Sequence, residues 1–224
     1  MVALFLVLTV AFFLVLDVVL AARRQSGLAA AVARQANAED TRSTTVAGFE
    51  LMPDRSYHPG HTWAKFRDTA LTRVGADEFA ARLIGPADGI QMPEPGTTVR
   101  AGRPLVTVTR RGRTATLLSP VTGIVQAVNH DVEDDPATLA RAPYGAGWLV
   151  EIKGDDVRSD LRTLEFGETA RQWMDQTVGA LHQMVTPGMA MAAADGGRPV
   201  DAIGDQLDEA TWNQARQRFL LNAE

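Results

Sequence analysis

The stretch TVTRRGRTATLLSPVTG, residues 107–123, contains two short runs of β-branched and apolar residues. Residues 107–109 and 114–118 have the composition of β-strands, and a short glycine-containing turn is a common connection between two such runs. The turn that separates them is made of Arg110, Arg111, Gly112 and Arg113. The stretch therefore predicts a β-hairpin with a cationic tip.

The region around this hairpin, residues 58–175, alternates short β-type segments with turn signals. One helix is predicted near its start, where Asp77 stands near the N-terminus of an apolar stripe and Gly85 ends it. A strand is expected at residues 148–153, and the acidic residues within 131–135 are expected in a solvated loop. Short strands at close spacing favour a small, mainly β sandwich or barrel-like domain.

Five pieces of this region carry a more specific pattern. They are HTWAKF (61–66), VGADEFAARLIG (74–85), MPEPGTTVRAGRPLVTV (92–108), SPVTGIVQAVN (119–129) and PYGAGWLVEIK (143–153). In this order they resemble the H protein of the glycine cleavage system, a lipoyl carrier that shuttles an aminomethyl group between partner enzymes. The resemblance implies a mainly β, lipoyl/H-protein-like barrel-sandwich hybrid with flanking helices. The wider lipoyl and biotinyl domains, including those of membrane-fusion adaptors, share only the Pro-Val-x-Gly hairpin and are the second candidate for the fold.

The resemblance places the family's lipoylated lysine on Gly112, and an error of one position would place it on Arg111 or Arg113. Lipoylation forms an amide with a neutral primary amine, whereas a guanidinium stays protonated at biological pH. The chain has only two lysines, Lys65 and Lys153, and neither belongs to the hairpin. We therefore expect Gly112 to be a degenerate lipoyl position and lipoate to be absent. No other cofactor is expected.

The arginines of the tip, Arg110, Arg111 and Arg113, have two interpretations. They form a solvated hairpin whose charge prevents edge-to-edge aggregation, or they bind an acidic protein surface or phosphate groups through bidentate guanidinium contacts. Anionic lipid is a further ligand if the preceding chain lets the tip reach a bilayer. The residues alone leave these alternatives open.

Residues 2–21 form an apolar run that contains a single charge. Twenty helical residues span about 30 Å, the thickness of the hydrocarbon layer, so the run predicts a transmembrane helix. A cleaved signal peptide is the alternative, but no basic segment precedes the run and the Val19-x-Ala21 cleavage pattern is weak. Arg23 and Arg24 follow the run, so the soluble part is expected in the cytoplasm, on a single-pass anchor in the cell (inner) membrane.

The single charge of this run is Asp17, which lies toward its C-terminal end. This carboxylate is either close enough to the interface to be hydrated or in contact with another transmembrane helix. We expect residues 1–24 to be the anchor and residues 25–56 to be a tether, followed by the H-protein-like domain at residues 57–175.

The remaining residues, 176–224, are expected to form a helical C-terminal extension. Apolar residues follow helical spacing from Ala170 to Val185, and a second helix is predicted at residues 208–221. Trp173 and Trp212 lie on the apolar stripes of these two helices. The stripes either pack on the β domain or form an interface with another subunit.

Composition excludes several classes of function. The 224-residue chain has a net charge of −5, which argues against a nucleic-acid partner. It has no cysteine, so disulfides, thiolate metal sites and thiol catalysis are excluded. His58 and His61 flank a Pro-Gly turn without a third ligand nearby, so no metal site is expected. No catalytic constellation is recognisable, and the chain is not expected to be an enzyme.

Two functions follow from these observations. The first is a non-catalytic, membrane-anchored scaffold without lipoate, an accessory subunit that binds the bilayer and other protein subunits of a larger membrane complex, such as a redox complex. The second is a lipoyl carrier of glycine cleavage or of a related one-carbon or lipoate pathway.

Overall fold

The structure is a computed structural model that describes residues 43–67, 70–154, 157–185 and 200–222. The strands are β1 (Thr44–Val46), β2 (Phe49–Leu51), β3 (Ser56–Tyr57), β4 (Thr62–Phe66), β5 (Leu71–Ala76), β6 (Gly89–Gln91), β7 (Thr98–Val99), β8 (Pro104–Arg110), β9 (Arg113–Leu118), β10 (Gly123–Val128) and β11 (Trp148–Lys153). The helices are α1 (Glu78–Ile84), α2 (His130–Asp134), α3 (Thr138–Arg141), α4 (Val157–Leu161), α5 (Gly167–Met184), a 3-10 helix (Ile203–Gln206) and α6 (Glu209–Phe219).

The predicted anchor at residues 1–24, with Asp17, and most of the predicted tether lie outside the described residues. Within the described part of the chain, no helix is both long enough and apolar enough to cross a membrane.

Three antiparallel sheets form the domain. The largest has the strand order β3-β4-β5-β11-β10-β7, the second has the order β6-β8-β9, and β1 pairs with β2 alone. Buried side chains of the two larger sheets belong to one hydrophobic core, to which Val74 and Val150 contribute from the first sheet and Val108 and Leu117 from the second. The prediction of a mainly β domain with flanking helices is confirmed.

The hairpin at residues 107–123 is tighter than its composition indicated. Strands β8 and β9 pair up to Arg110 and Arg113, so that only Arg111 and Gly112 form the turn. Both turn residues have positive φ, 48° and 77°, as in the type I′ turn that matches the twist of the flanking strands. The tip of the hairpin is therefore a two-residue turn.

Helix α1 begins and ends where its capping residues predicted. The side chain of Asp77 accepts a hydrogen bond of 2.8 Å from the backbone N–H of Ala80, which satisfies one of the free donors of the first turn. Gly85 ends the helix with a φ of 82°, which glycine adopts without strain. Phe79 and Leu83 on this helix are fully buried in the core.

The acidic segment after β10 was expected to be a loop, and this expectation was wrong. Residues 130–134 form the short helix α2. Val132 is fully buried and fixes the segment against the core, whereas Asp131 and Glu133 stay at the surface. No sequence signal indicated this helix, because Val132 is the single apolar residue among acidic ones.

Both C-terminal helices were predicted, and their bounds agree to within a few residues. Helix α5 begins at Gly167, and Asp208 caps α6 by accepting a hydrogen bond of 2.7 Å from the N–H of Thr211. Trp212 is 4% exposed and packs over Gly204, where a Cβ atom would lie 2.7 Å from the indole ring. Residues 186–199, between the two helices, lie outside the described residues.

The packing of Trp63 against Gly75 gives a test of the core. A Cβ atom at Gly75 would lie 2.5 Å from the indole of Trp63, which is fully buried and donates a hydrogen bond from Nε1 to the carbonyl of Pro143. We expect Gly75→Ala to lower the free energy of unfolding by about 1–3 kcal/mol because the ring has no room to move. Urea denaturation of the full chain measures the change.

Gly179 is the matched control, since it lies on the exposed face of α5 and nothing stands within 4 Å of an added Cβ atom. Gly179→Ala is expected to raise the free energy of unfolding by about 0.5–1 kcal/mol through helix propensity. A change of the same sign in both variants would contradict this account of the β5 packing.

Candidate functional site

The candidate site is the tip of the β8–β9 hairpin together with the C-terminal segment that covers it. Gly112 stands at the tip, and no atom of the described residues lies within 4 Å of a Cβ atom built on it. Neither lysine of the chain lies near Gly112 in the sequence, and neither is on a strand that pairs with β8 or β9. Lys65 lies on β4 and forms an ion pair with Asp54, and Lys153 is exposed at the end of β11. The tip therefore has space for a side chain but has no primary amine.

Arg110 forms the central contact of the site. Its guanidinium binds the carboxylate of Asp205 in a bidentate arrangement, with an Nε–Oδ1 distance of 3.1 Å and an Nη2–Oδ2 distance of 2.6 Å. It also donates to the backbone carbonyl of Pro86. The two paired side chains are only 14% and 19% exposed, so solvent screens the pair little. The hydrogen bond from Arg110 holds the pKa of Asp205 below its usual value.

Arg113, on the other strand of the hairpin, binds the same segment. Its guanidinium donates to the backbone carbonyls of Gly204 at 2.7 Å and Leu207 at 3.0 Å, and to the carboxylate of Glu209 at 3.1 Å. It lies over the ring of Trp212, with its Cζ atom 5.7 Å from the centroid. Arg113 therefore satisfies carbonyl groups at the end of the 3-10 helix, where the helix dipole favours a cation.

Arg111 is held mainly through its backbone. Its N–H donates to Asp88 at 2.5 Å, while its side chain is 69% exposed and approaches Asp205 at 3.3 Å. This arginine is the solvent-facing cation of the tip.

The C-terminal end of the chain pairs with the edge of the hairpin sheet. Strand β9 is the last strand of its sheet, and Thr116 uses both of its main-chain groups to bind the side-chain amide of Asn222. The N–H of Thr116 donates at 2.8 Å, and its carbonyl accepts at 2.7 Å. Asn222 thereby occupies edge groups of β9 that would otherwise be open to another strand.

The structure brings four of the sequence-predicted residues together: Arg110, Arg111, Arg113 and Trp212. Of the two interpretations, the solvated hairpin does not describe Arg110 and Arg113, because carboxylates and carbonyls of the same chain bind them. Trp173 lies apart from this group, with its ring 4.7 Å from that of His61. Asp17 lies outside the described residues.

The carboxylates of the C-terminal segment were missed by sequence reasoning. Asp205 stands 95 positions after Arg110, and no periodicity connects them. The one signal that could have indicated the contact is charge, since Asp205, Asp208 and Glu209 form an acidic counterpart to the arginines of the hairpin.

The two histidines considered as a metal pair have other partners. His61 Nδ1 lies 2.7 Å from Asp77, and His58 Nδ1 accepts a hydrogen bond of 2.9 Å from the N–H of Gly60. Burial lowers the pKa of His58. In the part of the chain that the structure describes, no group of three or more His, Asp or Glu residues is arranged to hold a metal ion.

The contact between Arg110 and Asp205 is expected to depend on pH. Because the pKa of Asp205 is lowered in the folded chain, its stabilisation is present above the usual aspartate pKa of about 4 and is lost as pH falls through the lowered folded value. We expect Asp205→Asn to lower the free energy of unfolding by about 1–3 kcal/mol at pH 7. The difference from the natural chain should shrink below about pH 4, as measured by urea denaturation across pH.

Glu209→Gln is the control for this prediction, since the side chain of Glu209 is 70% exposed. Exposed ion pairs contribute little, so the change should stay below about 1 kcal/mol. An Asp205→Asn effect no larger than that of Glu209→Gln would contradict a central role for the Arg110 contact.

Comparison with known proteins agrees with the resemblance seen in the sequence. The family model of the glycine cleavage H-protein matches residues 55–177. The glycine cleavage system H protein of Bifidobacterium longum is 32% identical over 123 residues, which cover 55% of this chain and 89% of that protein. The corresponding protein of Mycobacterium leprae is 34% identical over 125 residues, 54% of this chain and 95% of that protein.

A crystal structure of a glycine cleavage system H protein from Mycobacterium marinum matches with 33% identity and a TM-score of 0.48, covering 57% of this chain and 99% of that chain. The C-terminal segment that binds the hairpin, residues 200–222, lies outside the residues matched by the family model. Because that model matches more than half of the chain, the chain belongs to the glycine cleavage H-protein family.

Proposed function

We propose that this chain is a membrane-anchored, non-catalytic member of the H-protein family that carries no lipoyl group. It acts by binding other protein subunits, as an accessory subunit of a larger membrane complex. Nucleic acid is not among its partners, in keeping with its net charge of −5.

The observation that carries this proposal is the chemistry of the hairpin tip. The resemblance to lipoyl carriers puts the modified lysine at position 112, where this chain has glycine between Arg111 and Arg113. Forming the lipoyl amide needs a neutral amine as nucleophile, and a guanidinium does not lose its proton at biological pH. The tip can therefore accept no lipoyl group at position 111, 112 or 113.

The contacts of the tip support the same proposal. The lipoyl arm of a carrier would extend from the tip, and in this chain Arg110 and Arg113 bind the C-terminal segment on both sides of Gly112. An arm attached at this position would start from a turn that is fixed by charge-assisted hydrogen bonds. Such a surface suits a static binding role.

Membrane anchoring is supported by the sequence alone. Residues 2–21 are long and apolar enough to span a bilayer, and Arg23 and Arg24 favour a cytoplasmic location for the rest of the chain. The apolar run also supplies a contact for other subunits through Asp17. Placing this carboxylate in lipid without a polar partner would cost free energy.

The second candidate is a working lipoyl carrier of glycine cleavage, and the names of the curated relatives favour it. In this chain the carrier would have to use Lys65 or Lys153. Lys65 is paired with Asp54, and Lys153 ends a strand instead of standing at the tip of a hairpin.

A lipoate-transfer assay distinguishes the two candidates. The full chain, its Gly112→Lys variant and a lipoyl-accepting H protein are incubated with lipoate, ATP and a lipoate ligase, and intact masses are measured. We expect the H protein to gain a lipoyl group and the natural chain to keep its mass. A lipoyl group on the natural chain would establish the carrier function and refute ours.

The Gly112→Lys variant tests whether the amine is the missing component. No atom would oppose the new side chain, and the positive φ of 77° costs about 1 kcal/mol for a residue with a Cβ atom. We expect at most slow modification of this variant, because the neighbouring arginines keep the tip bound to the C-terminal segment.

Purification of the tagged chain from its own membranes in mild detergent tests the scaffold role. Membrane subunits should copurify in stoichiometric amounts and should be lost when residues 1–24 are replaced by an unrelated transmembrane helix without an acidic residue. A chain that is isolated alone under conditions that preserve other membrane complexes would contradict the accessory role.

A further inference from the structure

A cleft of about 240 Å³ lies between α5, α6 and the turn at residues 58–61. Its lining combines the aromatic rings of Trp173 and Phe219 with the polar side chains of His61, Gln176, Thr177 and Arg218. Helix α6 lies outside the residues matched by the family model, so this cleft depends on the C-terminal segment of this chain.

His61 lies at the base of the cleft, and its side chain is 1% exposed. Its Nδ1 atom is 2.7 Å from one oxygen of Asp77, whose other oxygen accepts the N–H of Ala80. The second oxygen of that carboxylate is placed to accept a hydrogen bond from Nδ1. Among the described residues, Nε2 has no hydrogen-bond partner.

The surroundings of the ring determine where this free nitrogen points. The imidazole ring of His61 stacks on the ring of Phe79 with a centroid distance of 4.1 Å. The ring of Trp173 also packs against the imidazole, with a centroid distance of 4.7 Å. The Nδ1 edge faces Asp77. The edge that contains Nε2 is therefore the part of His61 that lines the cleft.

The charge of the lining favours an anion. Arg218 is exposed at the rim, and none of the described residues that line the cleft has a carboxylate. Asp77 lies on the opposite edge of His61. The Nε2 edge of His61 lines the cleft, so this atom can form a hydrogen bond with a ligand group placed there. The aromatic walls favour a flat apolar body over a small inorganic anion.

We propose that this cleft binds a small carboxylic acid with a flat apolar body. The carboxyl group contacts the guanidinium of Arg218 and forms a hydrogen bond with Nε2 of His61, whose opposite edge faces Asp77. The apolar body packs on Trp173 and Phe219. This binding function does not depend on whether the chain carries a lipoyl group.

The test uses 4-fluorobenzoate and its neutral analogue 4-fluorobenzamide as probes. Fluorine NMR relaxation of each probe is measured with the full chain in lipid nanodiscs, and empty nanodiscs give the contribution of lipid. We expect 4-fluorobenzoate to bind at least about tenfold more tightly than the amide, the size of one charge-assisted contact. Equal affinities, or no binding of the acid, would refute the proposal.

Three variants locate the binding. Arg218→Gln should weaken 4-fluorobenzoate about fivefold or more while leaving the amide unchanged. Gln176→Trp, an exposed substitution on α5, should fill the cleft and abolish binding of both probes. Arg171→Gln, which removes an exposed cation of the same helix that is paired with Glu168, should have no effect.

Binding that survives Gln176→Trp, or that responds equally to Arg218→Gln and Arg171→Gln, would place the probe elsewhere and refute this site. All three substitutions are at exposed positions, so circular dichroism of each variant should match that of the natural chain.

Discussion

The ion pair between Arg110 and Asp205 is the constraint on which the arrangement of this domain's functional surface depends. It joins a hairpin within the family-matched region to a C-terminal segment outside that match. A bidentate pair with both partners mostly buried is directional as well as strong, so it fixes the position of the 3-10 helix against the hairpin. Arg113 and the edge of β9 bind other residues of the same segment, and the guanidinium of Arg113 lies over the ring of Trp212. The consequence is a hairpin tip that is held rather than free.

The sequence predicted those parts of the structure that local signals specify. Asp77 and Gly85 marked the ends of α1 because capping depends on neighbouring backbone groups, and apolar spacing similarly located α5 and α6. The contact of Arg110 with Asp205 could not be predicted in this way, because charged residues have no periodic pattern and pair across any separation. The His61–Asp77 contact was missed for the same reason. Helix α2 was missed because one buried valine stood among acidic residues.

The fold and the chemistry of the family have separate sequence requirements in this chain. The five matched segments supply strands, turns and a core, whereas lipoyl transfer requires a single amine at one position of one hairpin. Core residues such as Val108 and Leu117 lie on the strands that flank Gly112, and neither Gly112 nor either of its two neighbours has an amine side chain. Under the proposed function, the chain keeps the fold of a carrier and uses its surfaces for binding, in line with the general separation between fold and function. The C-terminal segment adds new contacts to that frame and, with α6, one wall of a cleft.

The proposed function requires that the hairpin of this family member carries no lipoyl group in the cell. The most direct measurement is the intact mass of the full chain isolated from its own cells grown with isotope-labelled octanoate, the precursor of lipoyl groups. We expect the mass of the unmodified polypeptide, with no label incorporated, alongside labelled lipoyl proteins from the same cells. A labelled lipoyl group on any residue of this chain would contradict the account.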